Sequence, residues 1–141
     1  MNSSHYEELP TINVRPIVWA DSPEWQSMRC DLWPDGAHEH AQEIQAFFDG
    51  RLEEPIAVFV AEAASKIVGV AELAIRSELP GIASERIGYV EGLYVKPQYR
   101  GMGVARTLLM ASRAWAQDQR CTAFASDRAG RVVIDTSFRP A

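Results

Sequence analysis

A strand-like run, Tyr89-Val90-Glu91-Gly92-Leu93-Tyr94-Val95, leads through Gln98-Tyr99-Arg100 into Gly101-Met102-Gly103-Val104-Ala105, and from Val104 to Gln119 the residues repeat with helical periodicity. Nothing else in the chain restricts its fold so tightly. Two glycines in three residues let the backbone turn with its amide groups converging, and a helix starting there adds the positive end of its dipole, so the loop is built to cradle an anion such as a pyrophosphate. A helix in that place calls for a further parallel strand, reached by a right-handed crossover, and Thr122 to Ser126 supplies it.

The spacing sets this loop apart from commoner phosphate binders. A dinucleotide-binding turn wants a third glycine and, about twenty positions on, an acid; here Ala105 stands at the close-packing position and the acid is Asp118, at the end of the helix. The Gly-Lys-Ser/Thr of a phosphate-loop NTPase is absent. The pattern that fits is Gln/Arg-x-x-Gly-x-Gly/Ala, met in two overlapping registers, Gln98 to Gly103 and Arg100 to Ala105.

The 141 residues, 47% of them hydrophobic, predict one domain, 1–141, with a sizeable core. A first strand is expected over Thr11 to Val18. Asp21-Ser22-Pro23-Glu24 reads as a cap, a proline at the first helical position and an acidic first turn, with Trp25, Met28 and Leu32 at helical spacing and Pro34 as the stop. A second helix follows over Ala37 to Asp49, with Ala41, Ile44 and Phe48 on one face and Gly50 past its end. Strands are expected at Ile56 to Glu62 and Ile67 to Arg76, joined by a hairpin, and at Ile87 to Val95 after a longer loop holding Pro80-Gly81. The helix from Val104 would turn Val104, Leu108, Ala111 and Trp115 inward. The resulting order, β-α-α-β-β-β-α-β, is an α/β fold in which helices cover a mixed sheet.

The net charge of −5 hides an asymmetry: residues 1–91 hold 16 acids against 6 bases, and 92–141 hold 3 acids against 8 bases. An anionic cofactor favours the second part and a cationic co-substrate the first. Nucleic acid is excluded as a partner, because the total charge is negative and the bases are not interleaved with aromatics. Residues 1–10 lack the apolar core of a signal peptide and no run approaches a membrane span, so a cytoplasmic protein without a membrane partner is expected. Cys30 and Cys121 fit apolar positions and read as buried thiols. His38-Glu39-His40 is not a zinc motif, since position 42 is Gln, and no metal is expected; His5 lies in a polar tail.

The double register resembles the acetyl-CoA-binding segment of the GNAT superfamily of N-acetyltransferases, and the order of elements matches that fold. The resemblance implies acetyl-CoA as co-substrate. The strand before the loop would splay from its parallel neighbour, with Gly92 helping the bend, so that the amides of Leu93, Tyr94 and Val95 meet the pantetheine chain and the thioester carbonyl. The pyrophosphate would lie on the amides of Gly101, Met102, Gly103, Val104 and Ala105, with Arg100 and Arg106 as charge partners.

Acetyl transfer needs an amine that is neutral when it attacks, and a carboxylate can take its proton directly or through water. Glu72, Glu91 and Asp127 lie in apolar strand-like runs and are the candidates, Glu91 and Asp127 on strands that would separate and leave the two acids facing across the gap. Here the resemblance narrows to the aminoglycoside 6'-N-acetyltransferases, through Val90-Glu91-Gly92-Leu93-Tyr94-Val95-Lys96-Pro97, Ala125-Ser126-Asp127, Met28-Arg29-Cys30-Asp31-Leu32-Trp33-Pro34, Glu72 to Arg76, and Trp115-Ala116 with Cys121. It implies a small cationic amine, an aminoglycoside, held by Trp33, Glu91 and Asp127: a flat apolar wall for a sugar ring and acids for its ammonium groups. It also implies a homodimer paired through the last strand.

The chain departs from that group in two places. Ser77 to Arg86 lacks an aromatic substrate-binding run, and Arg128-Ala129-Gly130-Arg131-Val132-Val133-Ile134 follows Asp127 where the group has a helix beside the pantetheine arm. The expected fold therefore lacks the usual last helix and leaves the cofactor groove open, with reduced activity. Another small amine or a peptide amine as acceptor, and a truncated acyl-CoA-binding domain with weak activity, are the other readings. No tyrosine follows Tyr99 to serve as general acid.

Overall fold

The computed structural model describes residues 10–141, so His5 and the rest of 1–9 lie outside the described residues. Six strands form one sheet in chain order: β1 (Ile12–Pro16), β2 (Ala57–Ala63), β3 (Lys66–Arg76), β4 (Ile87–Val95), β5 (Ala123–Arg128) and β6 (Arg131–Ile134). Neighbours are antiparallel except β4 and β5, which are parallel. Helices α1 (Ser22–Leu32) and α2 (Ala37–Phe48) connect β1 to β2, and α3 (Val104–Asp118) carries the crossover from β4 to β5.

The central strand shows why the sheet needs helices on both faces. From Val68 to Ala74 every residue of β3 is buried, a pattern that only a strand covered on both sides can adopt. On one face Val58, Val60 and Val70 pack against Trp25, Met28 and Ile44 of α1 and α2. On the other, Ala71, Leu73 and Val90 pack against Val104, Leu108 and Ala116 of α3. The β2–β3 hairpin turns on Ala64 and Ser65 with φ of 50° and 66°, the two-residue geometry whose twist suits a hairpin, although neither residue announces it.

Local packing corrects several sequence expectations. Asp21 does not cap α1; its carboxylate turns back to accept bonds from Arg15 at 2.7 and 2.9 Å and from the Val18 amide at 2.9 Å. The inner face of α2 carries His40 rather than the exposed Ala41. In α3 the buried stripe is Val104, Leu108, Ser112 and Ala116, with Ala111 and Trp115 at its flank. Ser112 is admitted because its hydroxyl donates to the Leu108 carbonyl at 2.7 Å. Cys121 is a buried free thiol, whereas Cys30 is only partly covered. Asp127 lies within β5, which turns through Ala129-Gly130 into β6, and among the described residues no helix follows α3.

Candidate active site

The two parallel strands separate partway along their length. Pairing between β4 and β5 runs from Ile87 opposite Ala123 to Val90 opposite Ser126 and stops. Along its other edge β5 pairs with β6 from Ala125 opposite Ile134 to Arg128 opposite Arg131. On its other side β4 stays bonded to β3, and the Lys96 amide donates to the Val68 carbonyl at 2.8 Å. Alternation along an antiparallel ladder then directs the Tyr94 amide at β3 and the Leu93 and Val95 amides into the opening. Tyr94 is thereby corrected as an amide donor to the cofactor, and its hydroxyl donates to Asp31 at 2.9 Å.

At the end of β4, Gly101 and Gly103 take φ of 80° and 86°, a left-handed conformation that side chains with a Cβ disfavour. α3 has no side-chain N-cap, and its first bond runs from the Thr107 amide to the Gly103 carbonyl at 3.0 Å. The amides before Thr107 therefore have no acceptor within the helix. A groove of about 860 Å³ lies beside α3, with Leu93, Ala105, Arg106 and Asp127 in its lining. Arg100 is exposed beside the loop; its Nε donates to the Val95 carbonyl at 2.9 Å and its guanidinium lies 5.5 Å from the Tyr94 ring centre, which leaves its Nη groups free among the described residues.

A second cavity of about 480 Å³ opens beside α1 and α2, and Trp33, Glu54, Arg76, Tyr89, Glu91 and Asp127 are among its walls. Glu91 arrives there through a bulge, because β3 pairs Glu72 with Gly92 but Leu73 with Val90 and leaves Glu91 as the extra residue. Burial first, then the Glu54 and Glu72 carboxylates, push Glu91 up to about 7 against the opposing charge of Arg76. Arg76 holds Glu54 through two bonds at 2.7 and 2.8 Å, reaches Glu91 at 3.4 Å, and lies 5.1 Å from the Tyr89 ring centre. Trp33 is 37% exposed at the end of α1. Its ring covers Gly92 so closely that a Cβ there would come within 2.6 Å.

Asp127 alone of the three candidate acids lines both cavities. Its Oδ1 is buried with no hydrogen-bond partner, the state of a group awaiting a donor. Glu72 is removed from the candidates: it is 1% exposed, and its oxygens accept from Arg29 at 2.7 and 2.8 Å and from the Trp25 indole at 2.9 Å. Burial alone would lower the Arg29 pKa, but Glu72 and Glu43 outweigh it and hold the guanidinium charged. His40 completes this group, its Nε2 2.8 Å from the Trp33 carbonyl and its Nδ1 3.3 Å from Arg29. Glu54, Tyr89 and the role of His40 carry no motif in the sequence. Arg76 belongs to the Glu72 to Arg76 run, but Glu54 sits in a loop with no local signal. Among the described residues, no group of three or more His, Cys, Asp or Glu is placed to hold a metal ion, and no helix is long and apolar enough to cross a membrane.

Comparison with known proteins agrees with this architecture. Residues 19–132 match the model of the acetyltransferase (GNAT) family. An aminoglycoside N(6')-acetyltransferase type 1 of Klebsiella aerogenes is 44% identical over 116 residues, covering 81% of this chain and 76% of that protein. One from Stenotrophomonas maltophilia is 40% identical, covering 81% and 73%. Among solved structures, the aminoglycoside N-acetyltransferase AAC(6')-Iy in complex with CoA superposes with a TM-score of 0.75 at 26% identity, covering 85% of this chain and 78% of that one. The AAC(6')-Ih of Acinetobacter baumannii does so with 0.74 at 30%, covering 84% and 80%. With an uncapped helix behind a two-glycine loop, a parallel pair that opens beside it and a family model matching most of its length, the chain belongs to the GNAT acetyltransferase family.

Proposed function

We propose that this chain is an acetyl-CoA-dependent N-acetyltransferase that modifies the 6'-amino group of aminoglycoside antibiotics and thereby confers resistance. The observation that carries the reading is the parting of β4 and β5, with Asp127 lining a donor groove on one side and an acid-walled pocket on the other. Relatives covering most of the chain carry that name, and one solved neighbour holds a bisubstrate analogue of CoA and acetylneamine.

The donor's pyrophosphate lies on the amides from Gly101 through Met102, Gly103 and Val104 to Ala105, with Arg106 beside it, and its arm runs along the free Leu93 and Val95 amides. One of these N–H groups polarises the thioester carbonyl as it gains charge. The antibiotic's ammonium groups lie among Glu54, Glu91 and Asp127, with a sugar ring against Trp33. Asp127 takes a proton from the 6'-ammonium, directly or through water. The freed amine attacks, a nitrogen–carbon bond forms, the carbon–sulfur bond breaks, and the second proton that the nitrogen sheds on becoming an amide goes, through water, to the departing CoA thiolate. The acid wall selects positive charge, and the raised pKa of Glu91 keeps it able to exchange a proton near neutral pH.

The enzyme acts in the cytoplasm, where acetyl-CoA is supplied, and as a homodimer paired through the edge strand β6, whose Val133 and Ile134 are 39% and 38% exposed. Purified protein, acetyl-CoA and a thiol-release assay test the activity against 6'-amino aminoglycosides, matched 6'-hydroxyl ones and simple amines. Turnover confined to the 6'-amino set is expected. Turnover with simple amines alone transfers the enzyme to another acceptor, and CoA binding without any turnover removes the catalytic reading.

A further inference from the structure

The sequence predicts a donor groove left open for want of a helix after β5, but the structure places another segment along that side. After β6 the chain stays close to β5, and the Asp135 amide donates to the Phe124 carbonyl at 2.9 Å. Residues 135–138 then lie across α3. Arg113, on the third turn of that helix, donates from Nε to the Asp135 carboxylate at 2.9 Å, and from Nη2 to the Ser137 carbonyl at 2.7 Å and hydroxyl at 3.3 Å. Its guanidinium also lies 5.6 Å from the Phe138 ring centre. Phe138 is 6% exposed and stacks on Phe124 at 5.8 Å and 27°. Asp135 is held below the usual carboxylate range, first by the Ser137 hydroxyl and then by the Ser137 amide and Arg113. Asp135, Thr136 and Ser137 line the groove opposite Leu109 and Met110 of α3.

Arg113 ties the two walls together, and its place along the groove decides which part of a ligand it affects. A crossover helix runs back along the strands it connects. The ten residues from Gly103 to Arg113 span about 15 Å, and the four strand steps from Val95 back to Glu91 about 13 Å. The Asp135 that Arg113 bonds meets Phe124, opposite Gly88 and two pairs before β4 and β5 part, so the contact stands at the inner, thioester end of the groove and away from the phosphate loop.

Resting on the proposed acetyltransferase reading, we infer that residues 135–137, anchored by Phe138, are the second wall of the donor groove and that Arg113 is the positioning residue that sets it, so that this clamp grips the acyl-pantetheine arm where the described residues hold no helix after β5. A planar guanidinium suits the task, since it can bond the carboxylate, bond the main chain and stack on the ring at once, which an ammonium cannot.

The test compares wild type with Arg113→Gln, Arg113→Lys and Phe138→Ala, using calorimetric titration with acetyl-CoA and steady-state kinetics with acetyl-CoA and acetyl-pantetheine. Arg113→Gln and Phe138→Ala are expected to raise the acetyl-CoA Kd about tenfold, equivalent to about 1.4 kcal/mol, with Arg113→Lys in between. The KM for the amine should hardly move, because the acceptor pocket lies on the other face. The penalty should persist with acetyl-pantetheine, which lacks the nucleotide. Unchanged donor affinity in both variants, an equal loss of donor and amine affinity, or a penalty that vanishes with acetyl-pantetheine would each overturn the inference. Should Phe138→Ala unfold, Asp135→Asn withdraws the carboxylate without emptying the core and must show the same direction. Wild type that binds no acetyl-CoA would instead overturn the acetyltransferase reading.

Discussion

The buried, unpartnered Oδ1 of Asp127 is costly unless a ligand supplies the missing donor. In the proposed function an ammonium in the acid-walled pocket does so, and the same contact would let the carboxylate accept its proton. Asp127→Asn is expected to lower kcat about 10²-fold or more while leaving the acetyl-CoA Kd within about twofold; thiol release and calorimetry separate the two quantities. Glu91 titrates differently. Its pKa rises from 4.5 to about 7 on folding, so between those values the folded chain binds more protons than the unfolded chain, and stability falls as pH rises through the interval. Glu91→Gln should therefore melt at a higher temperature than wild type above pH 7 and at nearly the same temperature near pH 4.5, as scanning calorimetry over a pH series would show. A rise in kcat/KM for the amine is expected around pH 7 in wild type, and the same substitution should remove it.

At the scale of elements, the bulge in β4 and the end of α1 depend on each other. The bulge turns Glu91 into the pocket, and Gly92 next to it leaves the space that the Trp33 ring fills. Gly92→Ala would bring its Cβ to 2.6 Å from the Trp33 Cη2, 3.1 Å from its Cζ2 and 3.4 Å from the Leu32 Cδ2. The ring must move, at a cost of about 1–3 kcal/mol. The expected result is a lower melting temperature with a raised KM for the amine and an unchanged KM for acetyl-CoA. Equal effects on both substrates would show that the wall belongs to neither.

Across the whole molecule, a buried ion pair joins α1 to the centre of the sheet. Arg29 and Glu72 are 4% and 1% exposed, and the contact meets Trp25 on one side and His40 on the other. Taking away one partner strands a charge in the core, so Arg29→Met is expected to cost about 3–5 kcal/mol in urea unfolding. The double variant Arg29→Met, Glu72→Met should regain much of that loss, because two apolar side chains replace two charges. A double variant weaker than either single one would show that the pair contributes more than its mutual neutralisation.

Local chemistry made part of this protein legible in advance. Glycine spacing and helical periodicity identified the left-handed two-glycine loop and the helix behind it, because φ angles and side-chain repeats are properties of neighbours in the chain. Strand-like runs identified the elements, and Glu91, Asp127 and Trp33 were marked by short motifs. Which acid is free was settled only by folding: Glu72 and Glu91 looked alike as isolated carboxylates in apolar strands, yet one meets Arg29 from a helix 43 residues away and the other is turned out by a bulge. Likewise, strand alternation relative to β3 turned the Tyr94 amide away from the opening, and folding tied the Arg100 Nε to the Val95 carbonyl. The donor groove gained its second wall through Arg113 and Phe138, whose contacts lie 22 and 14 residues away in the chain, at Asp135 and Phe124. Burial and pairing are sums over such distant neighbours, and a linear pattern does not contain them.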